Sequence, residues 1–250
     1  MRGLTEYSTT VANLVVDIGN TALKAAWSDR MTLGKTFRYQ GEKVIDFILS
    51  LTEKVKPDIM VVASAKELGP SAIELLKGEC GHFILMDSRH TEVARSYDIP
   101  SYLTPDRSAS VLASRYLFKG KPCTLFDFGT TMTVDFISPE GQYEGGNISI
   151  GCRTRFKAVN RYSKALPLLD TPENIDEKGS SLQSSIQSGI IQGIMFEIEG
   201  YLLRYPENIV VFTGGDAIYF AKRMKNSIFV VCNLVLMGLA LIADEYGKTL

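Results

Sequence analysis

The chain has 250 residues, room for one large domain or two modest ones. Hydrophobic residues make up 45% and charged residues 22%, with a net charge of −1. That balance supports a packed core and argues against a disordered chain or one built to bind nucleic acid. Cys80, Cys123, Cys152 and Cys232 form no C-x-x-C pair, lie in apolar stretches and read as buried thiols. With only His82 and His90, a zinc site or a histidine triad has little to draw on. The opening MRGLTEYSTTVAN has no apolar leader core, and no run of about 18 apolar residues occurs. No membrane contact is therefore expected, and a reducing cytoplasm is the expected compartment.

Apolar β-rich runs predict strands at 13–17, 22–27 and 35–40, then a helix near 43–55 and a strand at 59–64. A short helix near 70–77, a strand at 83–86 and an amphipathic helix at about 105–118 follow. The pattern then restarts. Strands are expected at 124–128, 132–138 and 143–149, with a helix near 153–164 and a polar, proline-bearing loop at 166–181. A long helix at 182–204, strand 208–213, helix 216–224, strand 228–231 and helix 234–246 complete the chain.

The restart is visible in the residues themselves. NLVVDIGNTALKAAW from Asn13 and CTLFDFGTTMTVDFI from Cys123 share an apolar run, D-x-G-[NT]-T, and a second apolar run. Asp17 and Asp127 head the two copies. Internal similarity of this kind implies two related halves, expected here as 1–118 and 119–250. Three meandering strands followed by alternating helices and strands predict a mixed sheet with helices on its faces. This is the ribonuclease H-like pattern, duplicated, with a cleft expected between the halves.

Each D-x-G turn taken singly is also what an ordinary hairpin with an Asx turn looks like. Two copies carry more meaning. Gly19 and Gly129 let the backbone approach a ligand closely, and Asn20, Thr21 and Thr130 add side-chain donors that can cradle phosphate. Asp17 ends a buried strand, where a carboxylate can hold Mg²⁺, and Lys24 can reach phosphate as a point charge. Gly214 and Gly215 follow the strand IVVF and open a helix, where a phosphate or flat ligand can approach. Thr104-Pro105-Asp106-Arg107 reads as a helix start with Thr as cap, Pro at the first position and Asp facing the dipole. Its functional reading makes Asp106 the base that deprotonates a substrate hydroxyl and Arg107 the contact for an acidic group. Gly145-Gly146 is read as lying at a hairpin end.

D-x-G-N-T-x-x-K (17–24), D-R-x-A (106–109), D-x-G-T (127–130), G-G-x-I-x-x-G (145–151), T-G-G-D-A (213–217) and L-x-L-x-G-L (234–239) occur in that order. The ordered set resembles type III pantothenate kinase, also known as the Bvg accessory factor family, within the actin-like ATPase superfamily. The resemblance spans nearly the whole chain. It implies ATP-dependent phosphorylation of pantothenate, the first step towards coenzyme A, by a homodimer that uses Mg²⁺ or another divalent cation and a monovalent cation such as K⁺ or NH₄⁺. Carried over by motif, residues 17–24 form the ATP phosphate loop, Asp17 serves Mg²⁺ and Asp106 accepts the proton. Asp127 belongs to the K⁺ site and Thr130 touches ATP, while Thr104, Arg107, Gly145, Gly146 and Leu182 face the substrate. Thr104 stands where the family has Gly, Thr131 where it has Ala, Ile150 where it has Pro, and Leu182 where it commonly has Thr. These departures concentrate on the pantothenate side. They motivate an alternative, a non-catalytic or substrate-altered paralogue that keeps nucleotide binding, against which stands the retention of both Asp106 and Arg107.

Overall fold

The structure, a computed structural model, describes residues 12–250. The stretch before residue 12, part of the opening in which no leader core was read, lies outside the described residues. The chain divides into two compact units. One takes in the chain up to Ala113 together with Val235–Leu250, and the other is Ser114–Leu234. Residues 235–250, expected with the second half, thus group with the first unit.

The first unit contains β1 (Asn13–Ile18), β2 (Leu23–Asp29), β3 (Thr32–Tyr39), α1 (Val44–Thr52), β4 (Ile59–Ser64), α2 (Pro70–Lys77), β5 (His82–Met86), α3 (Glu92–Ser96) and most of α4 (Pro105–Leu117). Its sheet runs β3-β2-β1-β4-β5. β1 pairs antiparallel with β2 and parallel with β4. A strand covered on both faces reads as an unbroken apolar run, and Leu14, Val15 and Val16 are each fully buried. β4, buried along its whole length, behaves the same way.

The second unit contains β6 (Cys123–Phe128), β7 (Thr131–Ile137), β8 (Tyr143–Ile150), α5 (Cys152–Tyr162), α6 (Leu182–Arg204), β9 (Ile209–Gly214), α7 (Ala217–Ala221) and β10 (Phe229–Val230). Its sheet order, β10-β9-β6-β7-β8, is the first sheet's order with each strand replaced by its counterpart. β6 pairs antiparallel with β7 and parallel with β9. The duplication inferred from D-x-G-[NT]-T is therefore a duplication of sheet topology. One face of this sheet packs Phe126, Phe128, Met132, Val134 and Phe212 against the buried side of α6 (Ile190, Ile191, Ile194, Ile198) and against Phe156 and Phe220.

The last helix, α8 (Leu234–Gly247), begins at the division and lies almost wholly in the first unit. It lies hard against α4. A Cβ at Gly238 would sit 1.9 Å from the Ala109 carbonyl oxygen, so only glycine permits this approach.

The structure departs from the expectations in a few places. α3 was not foreseen, because five residues are too few to show a helical period. β3 starts at Thr32, not 35, since Asp29 and Thr32 already pair across the turn. Gly145 and Gly146 lie within β8 rather than at a hairpin end, and Gly145, at φ +127°, stands beside the register shift opposite Phe136 and Ile137. All four cysteines are free, but Cys232 is exposed and Cys80 is half-buried, contrary to the expectation of four buried thiols. Short apolar neighbourhoods in sequence do not guarantee burial.

Candidate active site

In the first unit, Asp17 is the penultimate residue of β1 and lies directly opposite Lys24 on β2. Opposed residues of an antiparallel pair share a face, with Cβ atoms about 4.5–5.5 Å apart. The sheet register therefore sets the Asp17 and Lys24 side chains on one face of the hairpin. Between them the turn closes with the Gly19 amide donating to the Ala22 carbonyl at 3.1 Å. Asn20 and Thr21 form the exposed tip.

Also in this unit, α4 starts at Pro105, and the Ser108 amide donates to the Thr104 carbonyl at 2.9 Å. Asp106 follows in the first turn. Its Oδ1 is buried with no hydrogen-bond partner. Arg107 is nearly enclosed at 7% exposure.

The second unit builds a denser cluster around the end of β6. Asp127 lies opposite Thr133 on β7 and alongside Thr213 on β9. Thr213, Asp127 and Thr133 thus form one row across three strands, and the buried Thr133 Oγ1 has no partner. Gly214, at φ +90°, has no space for a side chain, because its Cβ would meet Asp127 Oδ1 at 2.4 Å. Gly215 donates its amide to the Phe128 carbonyl at 2.9 Å. The turn itself closes with the Gly129 amide on the Thr131 carbonyl at 3.0 Å. The Thr130 carbonyl is held twice, by the Gly151 amide at 3.2 Å and by Thr154 Oγ1 at 2.7 Å.

The structure thus gathers Asp17, Gly19, Asn20, Thr21 and Lys24 in one hairpin, and Asp127, Gly129, Thr130, Gly214 and Gly215 in another cluster. Thr104, Asp106 and Arg107 meet at one helix start. Gly145 and Gly146 lie further along β8, with Gly146 beside Asp135. Leu182 opens α6 and is 56% exposed, between the two residues of the capping box, Ser181 and Ser184. The sequence-based set lacked Thr213 as a member of the Asp127 row and Thr154 as a brace on Thr130. Neither is signalled locally, because both roles arise from strand pairing and from the turn meeting a later helix.

The model of the type III pantothenate kinase family matches residues 13–204. The chain belongs to this family. A type III pantothenate kinase of Phocaeicola vulgatus is 35% identical over 94% of this chain and 99% of its own. A crystal structure described as a Baf family transcriptional activator, from Campylobacter jejuni, superposes with a TM-score of 0.63 at 22% identity, covering 94% and 99% of the two chains. The activator of the 2-hydroxyisocaproyl-CoA dehydratase from Clostridium difficile, solved with ADPNP, gives 0.56 at 13% identity over 95% and 96%. These two likenesses establish the actin-like ATPase fold. Type III pantothenate kinases phosphorylate pantothenate with ATP on the way to coenzyme A, and this chain is such a phosphotransferase.

Other features of the kinase fit a site without thiol chemistry. Burial pushes the Cys123 thiol up to about 11, and burial likewise raises Cys152, so both stay protonated and inert near neutral pH. Burial also pushes the Asp216 carboxyl up, with Arg153 opposing. Among the described residues no helix is long and apolar enough to cross a membrane.

Proposed function

We propose that Asp106 is the proton acceptor for the primary hydroxyl of pantothenate and that the two D-x-G turns hold the nucleotide and its cations. The observation that carries this reading is the buried, partnerless Oδ1 of Asp106 at the start of α4. Buried acceptors are normally satisfied, and one that is not has its lone pairs ready for an incoming hydroxyl. Arg107 would supply a guanidinium for the substrate's acidic group, with Thr104 at the same helix start.

The first turn would receive the phosphates of ATP. Its glycine permits close backbone approach, Lys24 supplies positive charge, and the neighbouring Asp17 would hold Mg²⁺. Among the described residues no group of three His, Cys, Asp or Glu side chains is arranged for a metal. A single carboxylate such as that of Asp17 fits Mg²⁺, which commonly takes one or two carboxylates and completes its shell with phosphate and water. The cation supplies charge neutralisation on the transferring phosphoryl group when bound. In the second turn Asp127 and the orphaned Thr133 hydroxyl are hard oxygen donors that fit a monovalent cation such as K⁺ or NH₄⁺, and Thr130, Gly129, Gly214 and Gly215 would line the nucleotide.

The same reading includes a homodimer. Leu182, Gly189, Phe196 and Leu203 recur every seven residues along α6, and all are exposed, Phe196 at 63% and Leu203 at 85%. An exposed apolar stripe of this kind marks an interaction surface, and glycine in it lets a partner helix approach.

The test is direct. Purified protein is incubated with ATP, Mg²⁺, K⁺ and pantothenate, and phosphopantothenate is sought by mass spectrometry beside a K⁺-free control. A K⁺-dependent product is expected. Folded protein that binds ATP yet yields no product would overturn the reading.

A further inference from the structure

Arg155, on the first turns of α5, makes a set of contacts that the chemistry above does not use. Its Nε donates to the Ile150 carbonyl at 2.8 Å. Its Nη2 donates to Ser149 Oγ at 3.0 Å and to Glu197 Oε1 at 2.6 Å. Ser149 Oγ in turn donates to the other carboxylate oxygen, Oε2, at 3.0 Å. Both oxygens of Glu197 are thereby used, and one guanidinium ties the end of β8 to the middle of α6. The ion pair is largely sheltered, with the Arg155 side chain 18% exposed and that of Glu197 36%.

The residue next in the chain after Ile150 is Gly151, and Gly151 rests directly on the second D-x-G turn. A Cβ there would lie 2.1 Å from the Gly129 carbonyl oxygen and 2.7 Å from that of Thr130. This is backbone against backbone. No side chain cushions it, so a shift of the β8–α5 corner passes to the turn undiminished. The Gly151 amide and Thr154 Oγ1, both on that corner, are the two donors that hold the Thr130 carbonyl.

We infer that Arg155, held by Glu197, is a positioning residue that sets the Asp127–Thr131 turn for ATP through the Ile150–Gly151 corner. The inference rests on the reading that this turn receives ATP. A planar fork is required, because three acceptors in different directions are met by one rigid group. A lysine ammonium, as a flexible point charge, cannot hold the same three together.

The experiment compares Arg155→Lys, Glu197→Gln and Thr130→Ala with the native enzyme in steady-state kinetics and in equilibrium binding of a fluorescent ATP analogue. Misplacement of a contact by a fraction of an ångström weakens binding strongly, so Arg155→Lys is expected to raise KM for ATP by about tenfold or more. KM for pantothenate is expected to stay within about twofold of native. Glu197→Gln should shift the same constant in the same direction, by less. Arg155→Ala should regain ATP affinity when guanidinium ion is added at millimolar concentration, a rescue that a purely stabilising role does not produce. If Thr130→Ala weakens ATP binding while Arg155→Lys lowers only the thermal midpoint, the positioning role is overturned and the nucleotide reading stands. If neither variant alters ATP binding, the assignment of ATP to this turn fails and the inference with it.

Discussion

The carboxylate of Asp106 has one buried oxygen without a partner, and leaving a buried acceptor unsatisfied costs about 1–3 kcal/mol. A fold keeps such a group where function requires it. Asp106→Asn preserves shape and removes basicity, so turnover is expected to fall about 10²–10⁴-fold with ATP affinity near native, as steady-state kinetics and nucleotide titration will read. Gly214 carries a second constraint of this kind, with φ at +90° and the Asp127 carboxylate where a Cβ would go. Gly214→Ala is expected to lose about 1–3 kcal/mol of stability, measured by chemical denaturation, and to weaken the K⁺ dependence of turnover. Asp216 gives a pH signature. Its pKa is raised by burial, so the folded state binds the proton more tightly than the unfolded one. Its contribution is full below the unfolded value of about 3.9 and is lost as pH rises through the folded one. Asp216→Asn is therefore expected to raise the thermal midpoint at neutral pH, with the gap over native closing as pH approaches about 4.

Packing of whole elements makes its own demands. α8 meets α4 through Gly238 on the Ala109 carbonyl, and a methyl there forces the helices apart. Gly238→Ala is expected to cost about 1–3 kcal/mol in denaturant titration, although alanine is the better helix former in isolation. The sign of that outcome separates packing from propensity. In the second unit, Phe212 stacks edge-on with Phe126 at 5.2 Å and with Phe128 at 4.8 Å between ring centroids. The aromatic content of β6 and β9 was legible as strand-forming sequence, but the fact that the rings share one face is a consequence of the parallel register of those two strands. The loop at 166–181 was rightly read as lacking regular structure, yet it is tied down: Tyr219 donates to the Pro172 carbonyl at 2.7 Å, and Gln192 to that of Glu177 at 2.6 Å. Its partners come from helices that follow it in the chain, which local composition does not reveal.

For the molecule as a whole, duplication explains why two acidic turns exist, and self-association is the property that the α6 stripe predicts. Leu203→Glu places a charge in that stripe, on a side chain 85% exposed, and is expected to leave the fold intact. If the proposed homodimer forms, sedimentation is expected to show a dimer for the native protein and a monomer for the variant. A native protein that is already monomeric at assay concentration would remove the homodimer from the proposal.

What the sequence determined by itself was the repeat, the two mixed sheets flanked by helices, and the membership of the family. These follow from local patterns: apolar runs, turn residues, and motifs read in order. Only the tertiary structure decided how the two turns differ. Aligned by motif, Lys24 corresponds to Val134, but the second turn is one residue shorter, so Thr133 rather than Val134 lies opposite Asp127. A one-residue slip exchanges the faces of a strand, and it would take Met132 and Val134 out of the core that they share with Phe126 and Phe128. The first turn therefore has a lysine opposite its aspartate in the ladder and the second a threonine. The bracing of Thr130 by Gly151 and Thr154, and the grouping of α8 with α4, were likewise beyond the sequence. Both are contacts between residues far apart in the chain, fixed by close packing rather than by any local preference.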